Sequence, residues 1–228
     1  GYGKNYHILN LNDTWNEHTI DLYFTACLLN YYQQIKIYYV ENKQARLFLI
    51  EKPLFIFVGS KVTAVRKENK QNVSDVIRVL QFFNSFIKNK SKSIEAIRLL
   101  LQGNDGLIDK NNKSIFRNSF TFINDHYKIM DNVYETIYND LLQLVFNSNL
   151  SGAELHLDNL KGAEGEIGMR VGDSDYFGVI NVGDDTELLK LCEENGFNTT
   201  QKDFSKSLFH NINEENSKIN LLIGSKKF

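Results

Sequence analysis

Two short apolar runs constrain this chain more than any other feature. Leu54-Phe55-Ile56-Phe57-Val58 is unbroken and closes at Gly59-Ser60. Ile219-Asn220-Leu221-Leu222-Ile223 closes the same way, at Gly224-Ser225. Runs of this length are too short for a buried helix and read as strands of a parallel sheet. The first is expected near the centre of that sheet. Pro53 then stands at the first position of the strand, where a missing N–H costs least. Parallel strands need long crossovers, usually helical, and the rest of the chain has the pattern for them.

Residues 17–40 carry the longest helical period. Ile20, Phe24, Cys27, Leu28, Tyr31, Ile35 and Tyr38 recur at spacings of three and four, which places them on one face. Tyr31, Tyr32, Tyr38 and Tyr39 have the chemistry of a base-stacking platform, but a core stripe with phenol tips reaching water is the expected reading. Ser74 is placed to cap a helix over Val76, Ile77, Leu80, Phe83 and Ile87. Ser93 is placed to cap another over Ile94, Ile97, Leu100 and Leu101, stopped at Gly103. Asn132 with Glu135 resembles a capping pair before Tyr134, Ile137, Tyr138, Leu141, Leu142 and Val145. Residues 104–125 read as loop and short irregular structure.

Leu155-His156-Leu157 and Glu166 to Val171 read as short strands around a glycine-rich turn. Tyr176 to Val182 alternates as a strand. Asp184 with Glu187 suits a helix over Leu188, Leu189, Leu191 and Cys192, stopped at Gly196. An edge strand over 198–203, a short helix from Ser205 through Ile212 and the second apolar run complete an alternating order. That order implies right-handed parallel crossovers and an α/β fold.

Composition narrows the function. With 26 basic and 28 acidic residues the net charge is −2, so any nucleic-acid footprint has to be local. At 42% hydrophobic the chain can bury a sizeable core. No run of about 18 apolar residues is present to span a membrane, and Gly1-Tyr2-Gly3-Lys4 lacks the apolar region of a signal peptide. The chain has no initiator Met, so an excised segment or processed product is expected. Cys27 and Cys192 are expected to be reduced in a cytoplasmic protein.

Few constellations for chemistry survive inspection. No G-x-x-x-x-G-K-[ST] phosphate loop occurs, and Gly162, Gly165 and Gly168 are misspaced for a dinucleotide fingerprint. A calcium loop from Asp109 fails at Ser114 and Phe120, where glycine and a bidentate Glu belong. Glu41-Asn42-Lys43 and Glu68-Asn69-Lys70 read as solvated charges. His7, His18, His126, His156 and His210 have no metal-ligand spacing. No catalytic or metal-binding residue is therefore assigned. What remains is the pair of strand ends, Gly59-Ser60-Lys61 and Gly224-Ser225-Lys226-Lys227. Ligands of open parallel sheets sit beyond the carboxyl ends of strands. Glycine permits close backbone approach there, while a hydroxyl and a cation suit phosphate oxygens. Arg66, Lys67 and Lys70 extend a basic run beyond Lys61, whose ordinary reading is a solvated loop.

These same blocks carry a family resemblance. Pro53 to Val62 followed by Val73-Ser74-Asp75-Val76, Gly165 to Arg170, Tyr176 to Asp184, Ile223 to Phe228 and the opening Gly1 to Asn10 resemble superfamily 2 DEAD/DEAH-box helicases. The kind resembled is the Res subunit of type III restriction enzymes. The resemblance implies two RecA-like domains around an ATP and Mg cleft, with DNA across both and a DNA methyltransferase subunit as a possible partner. It places the phosphate loop and acid pair in a first domain that this chain does not contain. It implies that the chain is an incomplete second motor domain, inactive alone and binding no cofactor alone. Gly59, Ser60 and Lys61 match motif IV, near nucleic-acid backbone. Gly224, Ser225, Lys226 and Lys227 match the start of motif V, where Ser225 and Lys226 would touch nucleic acid and Gly224, Ser225 and Lys227 would face the nucleotide. The 176–182 strand is an alternative motif IV.

The expected fold is thus α/β, a RecA-like parallel sheet flanked by helices. Residues 1–52 form a helical lead-in, 53–70 and 172–228 the motor domain, and 71–171 a mostly helical insertion. The rival expectation is a non-catalytic protein-interaction module.

Overall fold

The computed structural model describes residues 16–59, 66–68, 71–128, 130–163, 165–182, 185–202, 206–214 and 216–225. The chain runs α1 (Glu17–Val40), α2 (Asn42–Leu47), β1 (Phe55–Gly59), a small hairpin of β2 (Arg66–Glu68) and β3 (Gln71–Val73), then α3 (Asp75–Lys88), α4 (Lys90–Leu101), α5 (Thr121–His126) and α6 (Val133–Phe146). There follow β4 (Leu155–Leu160), β5 (Glu166–Val171), β6 (Gly178–Asn181), α7 (Asp185–Glu194), β7 (Asn198–Lys202), a 3-10 turn (His210–Asn213) and β8 (Leu221–Ser225).

Six strands form one sheet in the order β1-β8-β6-β5-β4-β7. The pairings β1–β8, β8–β6 and β4–β7 are parallel, whereas β5 is antiparallel to both β4 and β6. Five strands therefore point one way and β5 alone opposes them. The α/β class and the helix-flanked sheet follow the expectation, and β7 lies at an edge as expected. The reversed strand arises from the hairpin that closes at Gly165, whose φ of +79° suits glycine.

Helix starts show where local signals hold. Asn16 caps α1, accepting from the Thr19 amide at 2.9 Å, and Ser74 caps α3, accepting from the Ile77 amide at 3.3 Å. Two expected caps are corrected. Ser93 lies inside α4 and donates to the Phe86 carbonyl at 2.7 Å, because α4 restarts immediately after Asn89. Asn132 adopts a left-handed φ of +53° and makes no side-chain cap bond. The stretch read as loop holds α5, and the segment expected as a helix to Ile212 holds the 3-10 turn. Asp184 and Ser205 lie outside the described residues.

The sheet has two unequal faces. On one, α1, α3, α6 and α7 pack onto the strands in a single core with Phe83, Phe146 and Phe177 fully buried. Their rings meet edge-on, Phe146 to Phe177 at 4.9 Å and Phe83 to Phe146 at 5.6 Å. The strands approach so closely that a Cβ on Gly178 would lie 2.5 Å from Met169 Cε and 3.1 Å from the Leu221 carbonyl. The other face has a thin cover, in which Val179, Ile219 and Leu222 lie under Leu208, Phe209 and Ile212.

That asymmetry corrects the placement of β1. It is an edge strand, not a central one, with Ile56 and Val58 exposed at 53% and 61%. Only alternate residues face the helices. Phe55 stacks on Tyr31 at 4.9 Å, and Phe57 meets Phe24 and Phe83. The end of the helical insertion is also corrected. Residues 155–171 hold β4 and β5, which belong to the main sheet, so the purely helical stretch stops at α6. Tyr31 and Tyr32 are buried while Tyr39 is half exposed, so the four tyrosines form no shared platform.

This packing separates two substitutions in neighbouring apolar positions. Phe83→Ala should cost about 3–5 kcal/mol, as large-to-small changes in a tight core do. Ile56→Ala should fall within about 0.5 kcal/mol of wild type, like most surface changes. Urea denaturation of both variants measures the contrast, and a large loss at Ile56 would mean that β1 is covered.

Candidate functional site

Parallel pairing brings the two expected strand ends together. In the β1–β8 ladder Val58 is level with Gly224 and Gly59 with Ser225. On the other side of β8, Asn181 at the end of β6 is level with Gly224. Three carboxyl ends thus form one edge, with Gly224 buried at its centre. Neither the adjacency of these ends nor their level alignment can be read from the local sequence. Ser60, Lys61, Lys226 and Lys227 lie outside the described residues, as does Lys70. Of Ser225 only the backbone position is described.

Charge varies along this edge. Helix α7 follows β6 with Asp185 and Glu187 in its first turn. Two carboxylates there oppose the usual anion preference of a helix N-terminus. Beyond β1, the hairpin strand β2 carries Arg66 and Lys67. The hairpin's other strand, β3, packs against α7.

Two buried polar clusters were missed in the sequence. On the thinly covered face, Asp158 is fully buried and accepts from Arg170 Nε at 2.7 Å, from the Tyr176 hydroxyl at 2.7 Å and from the Thr200 hydroxyl. Burial alone would push this carboxyl up. The hydrogen bonds from Arg170, Thr200 and Tyr176 outweigh it and hold the group below the usual carboxylate range. Beside it, the Glu166 carboxylate accepts from the Ser207 hydroxyl at 2.5 Å and from the amides of Leu208 and Phe209 at 2.8 and 3.2 Å. Within the helical layer, Asp140 Oδ2 accepts from Tyr32, Tyr127 and Lys36 at 2.5, 2.9 and 2.7 Å. Here too burial pushes the carboxyl up, and the bonds from Lys36, Tyr32 and Tyr127 outweigh it and lower it. Alternation along β4 and β5 was the available signal for Asp158 and Arg170, since 158 and 170 share a face of the hairpin.

These acids already hold three donors each, and their chemistry is cohesive. Among the described residues no group of three or more His, Cys, Asp and Glu is placed to hold a metal ion. Burial raises the Cys27 thiol to about 11 and the Cys192 thiol to about 12, which makes both poor nucleophiles. Asp109 accepts from the amides of Asn111 and Lys113 at 2.8 and 2.9 Å and organises a turn. Among the described residues, no helix is long and apolar enough to cross a membrane.

Comparison with protein-family models, with curated proteins and with solved structures found no match for this chain.

The Asp158 cluster yields a pH test. A carboxyl lowered in the folded state stabilises above its unfolded value of about 3.9 and loses that contribution as pH falls through the folded value. Asp158→Asn removes the buried counter-charge of Arg170, leaving it only the exposed Asp173 at 3.5 Å, and should cost about 3–5 kcal/mol near neutrality. The gap to wild type should shrink below about pH 4. Denaturant melts at several pH values measure it, and a gap that stays constant into acid would contradict the role.

Proposed function

We propose that this chain is one half of an ATP-dependent DNA translocase of the type III restriction Res-subunit kind, gripping the phosphate backbone at the carboxyl ends of β1 and β8. The observation that supports this reading is the ladder that sets Gly59 beside Ser225. Two Gly-Ser-Lys segments then leave neighbouring strands at one level. Their glycines let backbone come close, and their hydroxyls and ammonium groups suit phosphate oxygens.

In this reading Ser60, Lys61, Ser225 and Lys226 touch DNA. Gly224, Ser225 and Lys227 face a nucleotide held mainly by a first motor domain. ATP and Mg supply the closing force between the two domains, and closure changes the grip on the strand. A methyltransferase subunit and a cytoplasmic setting belong to the same proposal. The chain alone has no phosphate loop, so Mg-ATP should bind it no tighter than about millimolar.

A second reading, a non-catalytic interaction module, has its own observation. Leu47, Phe48 and Leu49 stand exposed at 81%, 73% and 87% in the turn before β1. Such a cluster suits a protein partner.

Binding to duplex DNA across a salt series separates the two. Each lost phosphate contact lowers the slope of log affinity against log salt by about 0.9. Lys61→Ala and Lys226→Ala should each weaken binding on all sequences alike and reduce that slope by about one contact. Unchanged slopes in both variants would defeat the DNA reading and leave the interaction module.

A further inference from the structure

Helix α2 closes on a residue that its own backbone disfavours. The Ile50 amide donates to the Ala45 carbonyl at 2.9 Å, and the Leu49 amide to the Arg46 carbonyl at 3.2 Å. This pair of bonds ends many helices and needs a left-handed residue just past the cap, usually glycine. Here that residue is Leu49, at a φ of +53°. A Cβ is disfavoured in that conformation, and the Leu49 side chain stands almost wholly in solvent. Backbone and solvation both oppose leucine at this position within a single chain. Leu47 and Phe48 beside it are similarly exposed, and Ile50 is more than half exposed.

The same turn walls a recess of about 560 Å³, which Leu49 and Ile50 line together with Pro53, Leu54, Ile212 and Ile219. Its charged lining is Arg46 and Lys52 with Glu51 and Glu214, two bases and two acids, so it carries no net charge. Neither base is idle: Lys52 donates to the Ser217 carbonyl, and Arg46 makes an interaction of its own. A polyanion or an anionic lipid surface calls for a cationic excess, which this patch lacks. A second copy suits it better. An isologous contact sets one residue of a patch against a different residue of the same patch, so acids meet bases across the two-fold and the projecting turn meets the recess. Area agrees. Leu47, Phe48, Leu49 and Ile50 present on the order of 500 Å² of apolar surface. A standard interface takes about 800 Å² from each partner, about 65% of it apolar in homodimers, which is again roughly 500 Å².

We propose that this patch is a homodimer interface, in which Phe48 of each copy enters the recess of the other. The proposal rests on the exposed cluster of the interaction-module reading and names its occupant. A chain that stays monomeric overturns the dimer, while the interaction-module reading stands or falls separately on DNA binding.

Sedimentation velocity on the full chain tests it. The chain should sediment as a dimer at about 100 μM and dissociate on dilution, as mass action requires. Phe48→Ala should weaken association by about tenfold or more, the loss of an aromatic anchor seated in a pocket. Leu49→Gly should also weaken it, yet raise the urea midpoint of the dilute monomer, because glycine accepts a φ of +53° without strain. Ile56→Lys, on the open edge of β1, should leave association unchanged. A monomer at every concentration, wild-type association in Phe48→Ala, loss of the dimer in Ile56→Lys, or species that grow beyond a dimer overturns the proposal. So does a Leu49→Gly chain that is more stable and still associates like wild type.

Discussion

A single buried amide sets the geometry on which the sheet depends. The Asn220 side chain donates to the carbonyls of Leu144 and Val145 at 3.0 Å each, and to Asn147 Oδ1 at 3.2 Å. The last carbonyls of a helix have no partner within it, and here one side chain serves two of them at the end of α6. The Asn220 backbone carbonyl accepts from the Tyr31 hydroxyl at 2.6 Å and from the Phe55 amide at 2.9 Å. Its own amide donates to the Phe177 carbonyl at 2.7 Å. One residue thus ties α1 and α6 to the start of three adjacent strands. Parallel ladders run from that tie in fixed register, so β1, β6 and β8 also finish level. The alignment of Val58, Gly224 and Asn181 at the carboxyl edge is a consequence of a hydrogen-bond junction at the amino edge.

The buried acids share a logic with Asn220. Asp158 and the part-buried Asp140 each gather at least three donors from separate elements, and Glu166 gathers three from the single segment 207–209. A carboxylate in low dielectric is costly unless fully paired, so each fixes the relative placement of the groups around it. Asp158 joins β4, β5 and β7 on the thinly covered face, where few apolar contacts are available to hold β7 in place. Asp140 performs the same task between α1 and α6, with Lys36 also lying 5.7 Å from the Tyr127 ring centre. Polar junctions thus take over where the aromatic core does not reach.

What the sequence reveals depends on how local the cause is. Ser74 as a cap, Gly103 and Gly196 as stops and the strand ends at Gly59 and Gly224 are legible because each acts within a few residues. The edge position of β1 is not. An apolar run records which residues are apolar and is silent on whether both faces are covered, and Ile56 and Val58 lack that cover. Ser93 misled for a related reason: it reaches back seven residues to the Phe86 carbonyl, a contact set by the α3–α4 turn. Asn220 stands in the sequence as an unexplained polar residue in an apolar run. Its reason is assembled from Leu144, Asn147, Tyr31 and Phe177, all remote from it. Of the candidate site, the chemistry of each strand end was legible and their adjacency was not, since strand order is a property of the whole chain.

The two ends of the sheet raise a question of coupling. Lys52 donates across to Ser217 and so ties the lead-ins of β1 and β8, the same strands that finish at Gly59 and Ser225. Transmission needs an element with two discrete arrangements whose balance both sites bias. The five-residue β1–β8 ladder offers one register, and sliding it by a residue would turn Phe55 and Phe57 away from Tyr31, Phe24 and Phe83. It would also unseat Asn220 from the end of α6. The amino-edge contacts therefore hold the carboxyl edge in a single geometry. A rearrangement of that edge would have to break the Asn220 junction and the aromatic contacts of β1 together.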